Sequence, residues 1–282
     1  MKSVIVKSYA KINLGLQIIG KRPDNFHNIK TIFQQLDLYD TIELEKRQSG
    51  CGFSTNVNYL NNDSSNLCVN AWEQFSENCH IGGVSIKLEK QIPAGSGLGG
   101  GSSNAAAILK GLCQLYDVQL SNKKLVSIAT NIGADVPFFI NGGLQEATGI
   151  GEKLIVLPGC IEGVFLLVIP NIHIDTVWAY SSYKKFLDKT KEELNFRSLL
   201  NREVIPFKFF ENDFEKIVVP AYPEIADIKE KLLDCSPKFA SLSGSGSTVY
   251  GIFDDEADAR SAELLFPSRY KTFIVNPIAS VL

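Results

Sequence analysis

At 282 residues the chain is long enough for one large domain or two modest ones, each with its own core. Its 28 Lys and Arg stand against 31 Asp and Glu and are scattered along the chain, which excludes the clustered basic face of a nucleic-acid groove. The longest apolar run, Val164 to Ile169, ends at Pro170 and is far too short to cross a bilayer, so no membrane partner is expected.

Met1 to Tyr9 have neither the apolar stretch of a signal peptide nor an Arg/Ser-rich transit composition. Six cysteines are dispersed with no Cys-x-x-Cys, and the three histidines lie far apart. The expectation is a cytoplasmic chain with reduced cysteines and no protein-held metal cluster.

In chain order, the first element is a strand over Val4 to Ile19. Ala10, Ile12, Leu14, Leu16 and Ile18 share one face, and Lys11, Asn13 and Gln17 share the other. Lys11 and Asn13 therefore emerge side by side from a strand whose back is buried, a pattern that an ordinary solvated face also produces. Gly20 to His27 is a turn-rich loop, in which a lone histidine is usually just solvated. Thr31 to Leu38 and Thr41 to Lys46 read as two strands with a turn at Asp40. Cys51 to Ser65 is polar, Asn-rich and without period, the pattern of a surface loop. A helix follows over Asn66 to Phe75, with Asn66 suited to cap it. Val84, Ile86 and Leu88 then alternate against Ser85, Lys87 and Glu89, as in a half-exposed antiparallel strand.

The stretch from Pro93 to Ala107 dominates the sequence. Ala94, Gly95, Ser96, Gly97, Leu98, Gly99, Gly100, Gly101, Ser102, Ser103 and Asn104 lead straight into helix-forming residues. A flexible loop ending at a helix start offers unpaired N–H groups and a positive dipole end, which suits phosphate. A Walker A loop is excluded because Gly100 is followed by Gly101 and Ser102 where Lys is required. A dinucleotide fingerprint matches Gly95, Gly97 and Gly100, but the preceding strand alternates instead of being buried on both faces, and no second strand carries Asp117. A plain flexible turn is the remaining alternative.

Ser121 caps a predicted helix over Asn122 to Asn131, closed by Gly133. Asp135 then sits among apolar residues, where it either caps a short helix or is held for chemistry. Leu154 to Gly163 reads as a boundary between an N-terminal domain, 1–158, and a C-terminal domain, 159–282. A buried strand over Val164 to Ile169 opens the second half, and Thr176 starts a helix that brings Tyr180 onto its own face one turn later, with Trp178 in core packing. Pro223, Ile225, Ile228 and Leu232 mark another helix. The Gly-rich turn Ser243 to Ser247, a strand over Thr248 to Phe253, a helix over Glu256 to Phe266 and a strand over Lys271 to Val275 complete the chain.

Pro-x-Gly-x-Gly-Leu-Gly-Gly-Gly-Ser-Ser resembles the ATP loop of the GHMP kinases, the superfamily of galactokinase, homoserine kinase and mevalonate kinase. Two weaker motifs of that superfamily flank it in the expected order, Ala10-Lys11-Ile12-Asn13-Leu14 and Ser243-Gly244-Ser245-Gly246-Ser247; a hairpin turn is the competing reading of the latter. Gly20 to His27 and Gly133-Ala134-Asp135-Val136-Pro137-Phe138-Phe139 narrow the resemblance to the branch that acts on a cytidine-diphosphate methylerythritol in the non-mevalonate isoprenoid route. The resemblance implies an α+β, two-domain GHMP kinase fold with ATP and substrate in the interdomain cleft. It implies Lys11 and Asp135 as catalytic residues, Asn13, Phe26, His27, Thr176 and Tyr180 as substrate contacts, and a cytosine held between Phe26 and Tyr180. The Ala94 to Asn104 loop would hold the ATP phosphates, and Asn66 would lie near the adenine or simply cap its helix. Mg²⁺ is expected to accompany ATP, through Ser103, with no Asp or Glu ligand evident. Two positions depart from the branch pattern: Asn25 replaces Gly, and Phe26 replaces Tyr and so lacks a hydroxyl. The implied partner is a small molecule, and the implied state a monomer or weak homodimer. The alternatives are another GHMP kinase of the homoserine or mevalonate type, and a catalytically dead nucleotide-binding regulator on the same fold.

Overall fold

The computed structural model describes residues 3–187 and 193–280. Two long strands, β1 (Ser3–Lys21) and β2 (His27–Arg47), pair with each other. Two compact units are threaded on them: one comprises Met1–Ala10, Leu38–Ala94 and Gly99–Gly142, the other Lys11–Asp37, Gly95–Leu98 and Gly143–Leu282.

In the first unit, β3 (Cys51–Thr55), α1 (Leu67–Cys79), β4 (Gly83–Glu89), α2 (Gly100–Tyr116), α3 (Asn122–Ile132) and α4 (Phe138–Asn141) follow in order. β4 runs antiparallel to β2 from Thr41↔Glu89 to Arg47↔Gly83, and β3 pairs parallel with β4 from Cys51↔Val84. The helices α1, α2 and α3 pack on one another through apolar faces that include Phe75, Ile108, Leu112 and Ile128. The stretch expected to be a surface loop thus begins with a strand. Its Gly52 and its polar side chains conceal it, because β3 has only one neighbour and buries neither face fully. A second correction concerns Asp40: β2 is continuous, with no turn, and Asp40 lies fully buried within it.

The second unit holds β5 (Leu144–Gly149), β6 (Lys153–Leu157), β7 (Val164–Ile169), α5 (Thr176–Tyr183), α6 (Phe196–Leu200), α7 (Glu215–Ala221), α8 (Pro223–Asp234), β8 (Phe239–Leu242), β9 (Val249–Phe253), α9 (Glu256–Glu263) and β10 (Lys271–Val275). β5 pairs antiparallel with the first half of β2 and with β6, so residues 154–157 lie within a sheet. The four-stranded antiparallel sheet β10-β7-β9-β8 is covered by α8 and α9, and its core includes Leu166, Val168, Ile225, Ile228, Leu232 and Phe253. No helix among the described residues is long and apolar enough to cross a membrane.

Candidate active site

Strand alternation would point Lys11 and Asn13 to one face of β1, and both are buried there, at 4% and 3% exposure. The solvated-face reading of these residues is therefore set aside. Lys11 Nζ donates to Asn13 Oδ1 at 2.5 Å, and Asn13 Nδ2 donates to Thr31 Oγ1 at 3.1 Å. Thr31 in turn donates to the Gly15 carbonyl. Every member of this chain has a partner, as burial requires. The pair is also joined to the glycine-rich loop, since Lys11 N–H donates to Leu98 O at 3.0 Å.

The Ser243 to Ser247 turn fixes the same loop from another side. Ser243 Oγ donates to Gly97 O at 2.9 Å and accepts from Asn13 N–H at 3.4 Å, while Thr248 N–H donates to Ser96 O at 3.1 Å. The contact is close because Gly97 has no side chain: its φ is +81°, and a Cβ there would stand 2.1 Å from Ser243 O. Asn212 shapes the turn from beneath, its Nδ2 donating to Leu242 O at 2.7 Å and Gly244 O at 2.8 Å.

Past Gly99, which is left-handed at φ +69°, α2 begins with no side-chain cap and no acidic residue in its first turn. The first N–H groups of such a helix have no intrahelical acceptor and sit at the positive end of the dipole. Ser103 and Asn104 are buried: Ser8 Oγ donates to Ser103 Oγ at 2.8 Å, and Asn104 Nδ2 donates to Ser8 Oγ and Asp40 Oδ2, each at 2.8 Å.

Of the residues read as base contacts, His27 opens β2 and is buried, whereas Phe26 closes the preceding loop and is 57% exposed. His27, not Phe26, stacks on Tyr180, with centroids 4.9 Å apart and planes 13° from parallel. Phe214 meets the Tyr180 ring edge-on. The start of β2 turns His27 inward onto the Tyr180 ring and leaves Phe26 exposed at the loop end. Asn25 adopts φ +68°, the geometry that glycine would supply. Burial, reinforced by the positive charge of Lys21, holds the His27 imidazole below its ordinary pKa, favouring the neutral ring. Thr176 Oγ1 lies 3.0 Å from Ser245 Oγ, one turn before Tyr180 on α5, whose N-cap is Asp175.

Asp135 is half-buried in the turn before α4, whose N-cap position belongs to Pro137, so the carboxylate does not cap that helix. Lys110 of α2 donates to Phe139 O at 2.9 Å, and burial pushes its ammonium below the usual lysine range. Asn66 caps α1: its Oδ1 accepts from Cys68 N–H at 3.0 Å and its Nδ2 donates to Asn61 O at 2.8 Å. Sequence reasoning gave no site role to Ser8, Thr31, Asp40 or Lys90. Only their position opposite the glycine-rich loop or the Lys11–Asn13 pair gives them a part, and nothing local in the sequence marks that.

Comparison with known proteins gives the lineage. The model of the GHMP kinases N terminal domain matches residues 66–143, and that of the GHMP kinases C terminal matches residues 193–271. The 4-diphosphocytidyl-2-C-methyl-D-erythritol kinase of Chlorobium chlorochromatii is 41% identical over 275 residues, covering 95% of this chain and 94% of that relative. A crystal structure of 4-(cytidine 5'-diphospho)-2C-methyl-D-erythritol kinase superposes with a TM-score of 0.81 at 30% identity, covering 96% of this chain and 99% of that one. A homoserine kinase from Cytophaga hutchinsonii shares the fold, with a TM-score of 0.71 at 16% identity over 98% of this chain and 95% of its own. By near-full-length identity to these relatives, the chain belongs to the 4-diphosphocytidyl-2-C-methyl-D-erythritol kinase family of the GHMP kinases.

Proposed function

We propose that the protein phosphorylates the 2-hydroxyl of 4-diphosphocytidyl-2-C-methyl-D-erythritol with ATP, a step of the non-mevalonate route to isoprenoid precursors. The observation that carries this reading is the buried Lys11–Asn13 pair, hydrogen-bonded into the same backbone that forms the glycine-rich loop. A cation and an amide in that position serve a transferring phosphoryl group and an acceptor hydroxyl. The relatives' shared name supplies the acceptor.

Phosphoryl transfer runs through a loose transition state, so positioning and charge stabilisation dominate catalysis. In this reading the backbone N–H groups of Ala94 to Asn104 cradle the ATP phosphates. Lys11 stabilises charge on the transferring group. Asp135 orients the 2-hydroxyl and accepts its proton, and Asn13 places the polyol chain. His27, Tyr180 and Thr176 recognise the cytidine, with Phe26 offering an exposed aromatic face beside them. Asn66 serves the adenine side chiefly by fixing the start of α1.

Among the described residues no group of three His, Cys, Asp or Glu is placed to hold a metal ion. Mg²⁺ would arrive on the nucleotide, where it keeps mostly phosphate oxygens and water and neutralises phosphate charge. Ser103 Oγ, buried against Ser8, is the hydroxyl nearest in sequence to that role. The reading also treats 1–158 and 159–282 as N- and C-terminal kinase domains, supported by the family matches on either side of that division. It takes the protein to be cytoplasmic, a monomer or weak homodimer, with a small-molecule substrate and no nucleic-acid partner.

The test is an ADP-release assay with MgATP and the cytidyl substrate beside homoserine, mevalonate and galactose. Activity confined to the cytidyl substrate, and lowered ~10²–10⁴-fold in Asp135→Asn, is expected, since base catalysis is usually of that size. Turnover of another alcohol in its place, or full activity in the variant, contradicts the assignment.

A further inference from the structure

Asp40 takes no part in the mechanism above, yet its carboxylate accepts four hydrogen bonds. It is fully buried in β2. Oδ1 accepts from the backbone N–H groups of Gln91 at 2.7 Å and Ile92 at 2.8 Å. Oδ2 accepts from Lys90 Nζ at 2.6 Å and Asn104 Nδ2 at 2.8 Å. Residues 90–92 are the last before the glycine-rich loop opens at Pro93, and Asn104 lies in the first turns of the helix into which that loop leads. One side chain therefore holds both ends of the loop.

The arrangement also sets the orientation of Asn104. Its Nδ2 has two acceptors, Asp40 Oδ2 and Ser8 Oγ, so its Oδ1 is left to face Lys90 Nζ at 3.3 Å. A carboxylate with four charge-assisted donors around it is stable without solvent, and no neutral side chain of its size accepts four hydrogen bonds in that geometry. A buried ion pair alone gives little net stability, so stability alone is a weak reason to build one here.

We propose that Asp40 is a positioning residue for nucleotide binding: it clamps the entry and exit of the glycine-rich loop at a fixed separation and fixes Asn104 and Lys90 beside it. This rests on the reading of that loop as the ATP phosphate site. Asp40→Asn is nearly isosteric, keeps an oxygen for the two backbone donors, and turns an amide N–H₂ toward Lys90 and Asn104. Ser8→Ala is a milder probe, removing the acceptor for Asn104 Nδ2 and the donor to Ser103 Oγ.

The experiment measures binding of MgADP by calorimetry, and KM for MgATP and for the cytidyl substrate, in the wild type, Asp40→Asn and Ser8→Ala. Circular dichroism reports folding. Asp40→Asn is expected to weaken MgADP binding and raise the MgATP KM about tenfold, the equivalent of ~1.4 kcal/mol, with the cytidyl-substrate KM unchanged. Ser8→Ala is expected to act in the same direction by about threefold. Unchanged MgADP affinity in folded Asp40→Asn overturns the proposal, as does an equal rise in both KM values, which a general loss of structure produces. If Asp40→Asn does not fold, unchanged nucleotide affinity in Ser8→Ala overturns it. A wild-type protein that binds no MgADP would instead refute the ATP-site reading, and the clamp with it.

Discussion

Gly97→Ala is a demanding test of how the glycine-rich loop is held. Two costs arise at that position. An L-residue at φ +81° carries a left-handed penalty of ~1–2 kcal/mol. The new methyl would also stand 2.1 Å from the Ser243 carbonyl oxygen and 3.0 Å from that of Gly246, so backbone rather than a flexible side chain must yield. Forcing such a shift in a packed site usually costs ~1–3 kcal/mol, giving ~2–5 kcal/mol together. Against a typical total stability of ~5–15 kcal/mol, that is a large fraction. Gly101→Ala is the control: its Cβ would meet only Leu67 Cδ1, at an ordinary 3.5 Å, within helical backbone where alanine is favoured by ~1 kcal/mol. Urea denaturation followed by circular dichroism should therefore show a marked loss for Gly97→Ala and none for Gly101→Ala. The MgATP KM should rise in Gly97→Ala. A Gly97→Ala protein within ~0.5 kcal/mol of wild type, the range of an unremarkable surface change, would show that the loop and the Ser243 to Ser247 turn are not packed as described.

Two further outcomes follow from the same structure. Asn212→Asp retains an acceptor for Phe214 N–H but turns a second acceptor on the Leu242 and Gly244 carbonyls, in a position 2% exposed; a loss of ~2–5 kcal/mol in urea stability is expected, and a midpoint like that of wild type would contradict it. The folded-state pKa of His27 lies below its ordinary 6.5, so the unfolded chain binds that proton more tightly. The stability His27 lends is whole above about pH 6.5 and is lost as pH falls toward the lowered value. Wild-type urea midpoints should therefore fall between about pH 7.5 and about pH 5 more steeply than those of His27→Gln. Parallel profiles would mean that His27 is not held neutral by its burial.

Much of the fold is legible where one face of an element is apolar and the other polar. β4 occupies the residues its alternation marks, β10 the residues read as the last strand, and the Pro223 helix and the Ser121-capped helix begin where their first turns signal. Legibility fails where partners come from far along the chain. β3 gains its strand character only from β4, some thirty residues later. Asp40 reads as a turn because an acid in a strand is costly, and its four donors come from residues 90–104, invisible to any local window. At the site, Lys11, Asn13 and the glycine-rich loop stand out by residue type. That His27 stacks on Tyr180 depends on which side of a loop end a side chain turns, and sequence does not encode that locally. The full-length relatives show that the motifs identified the lineage correctly even where the packing differed.

The threading of β1 and β2 through both compact units bears on how the molecule comes apart. Each unit draws on segments from both sides of the other in sequence: the second needs Lys11–Asp37 as well as everything from Gly143 onward, and the first needs the residues before Ala10. No single scission of the backbone separates them. Either fragment would lack strands whose hydrogen bonds its own sheet requires. A cut at any one point therefore divides at least one unit between the two fragments, although the sequence carries the marks of two halves.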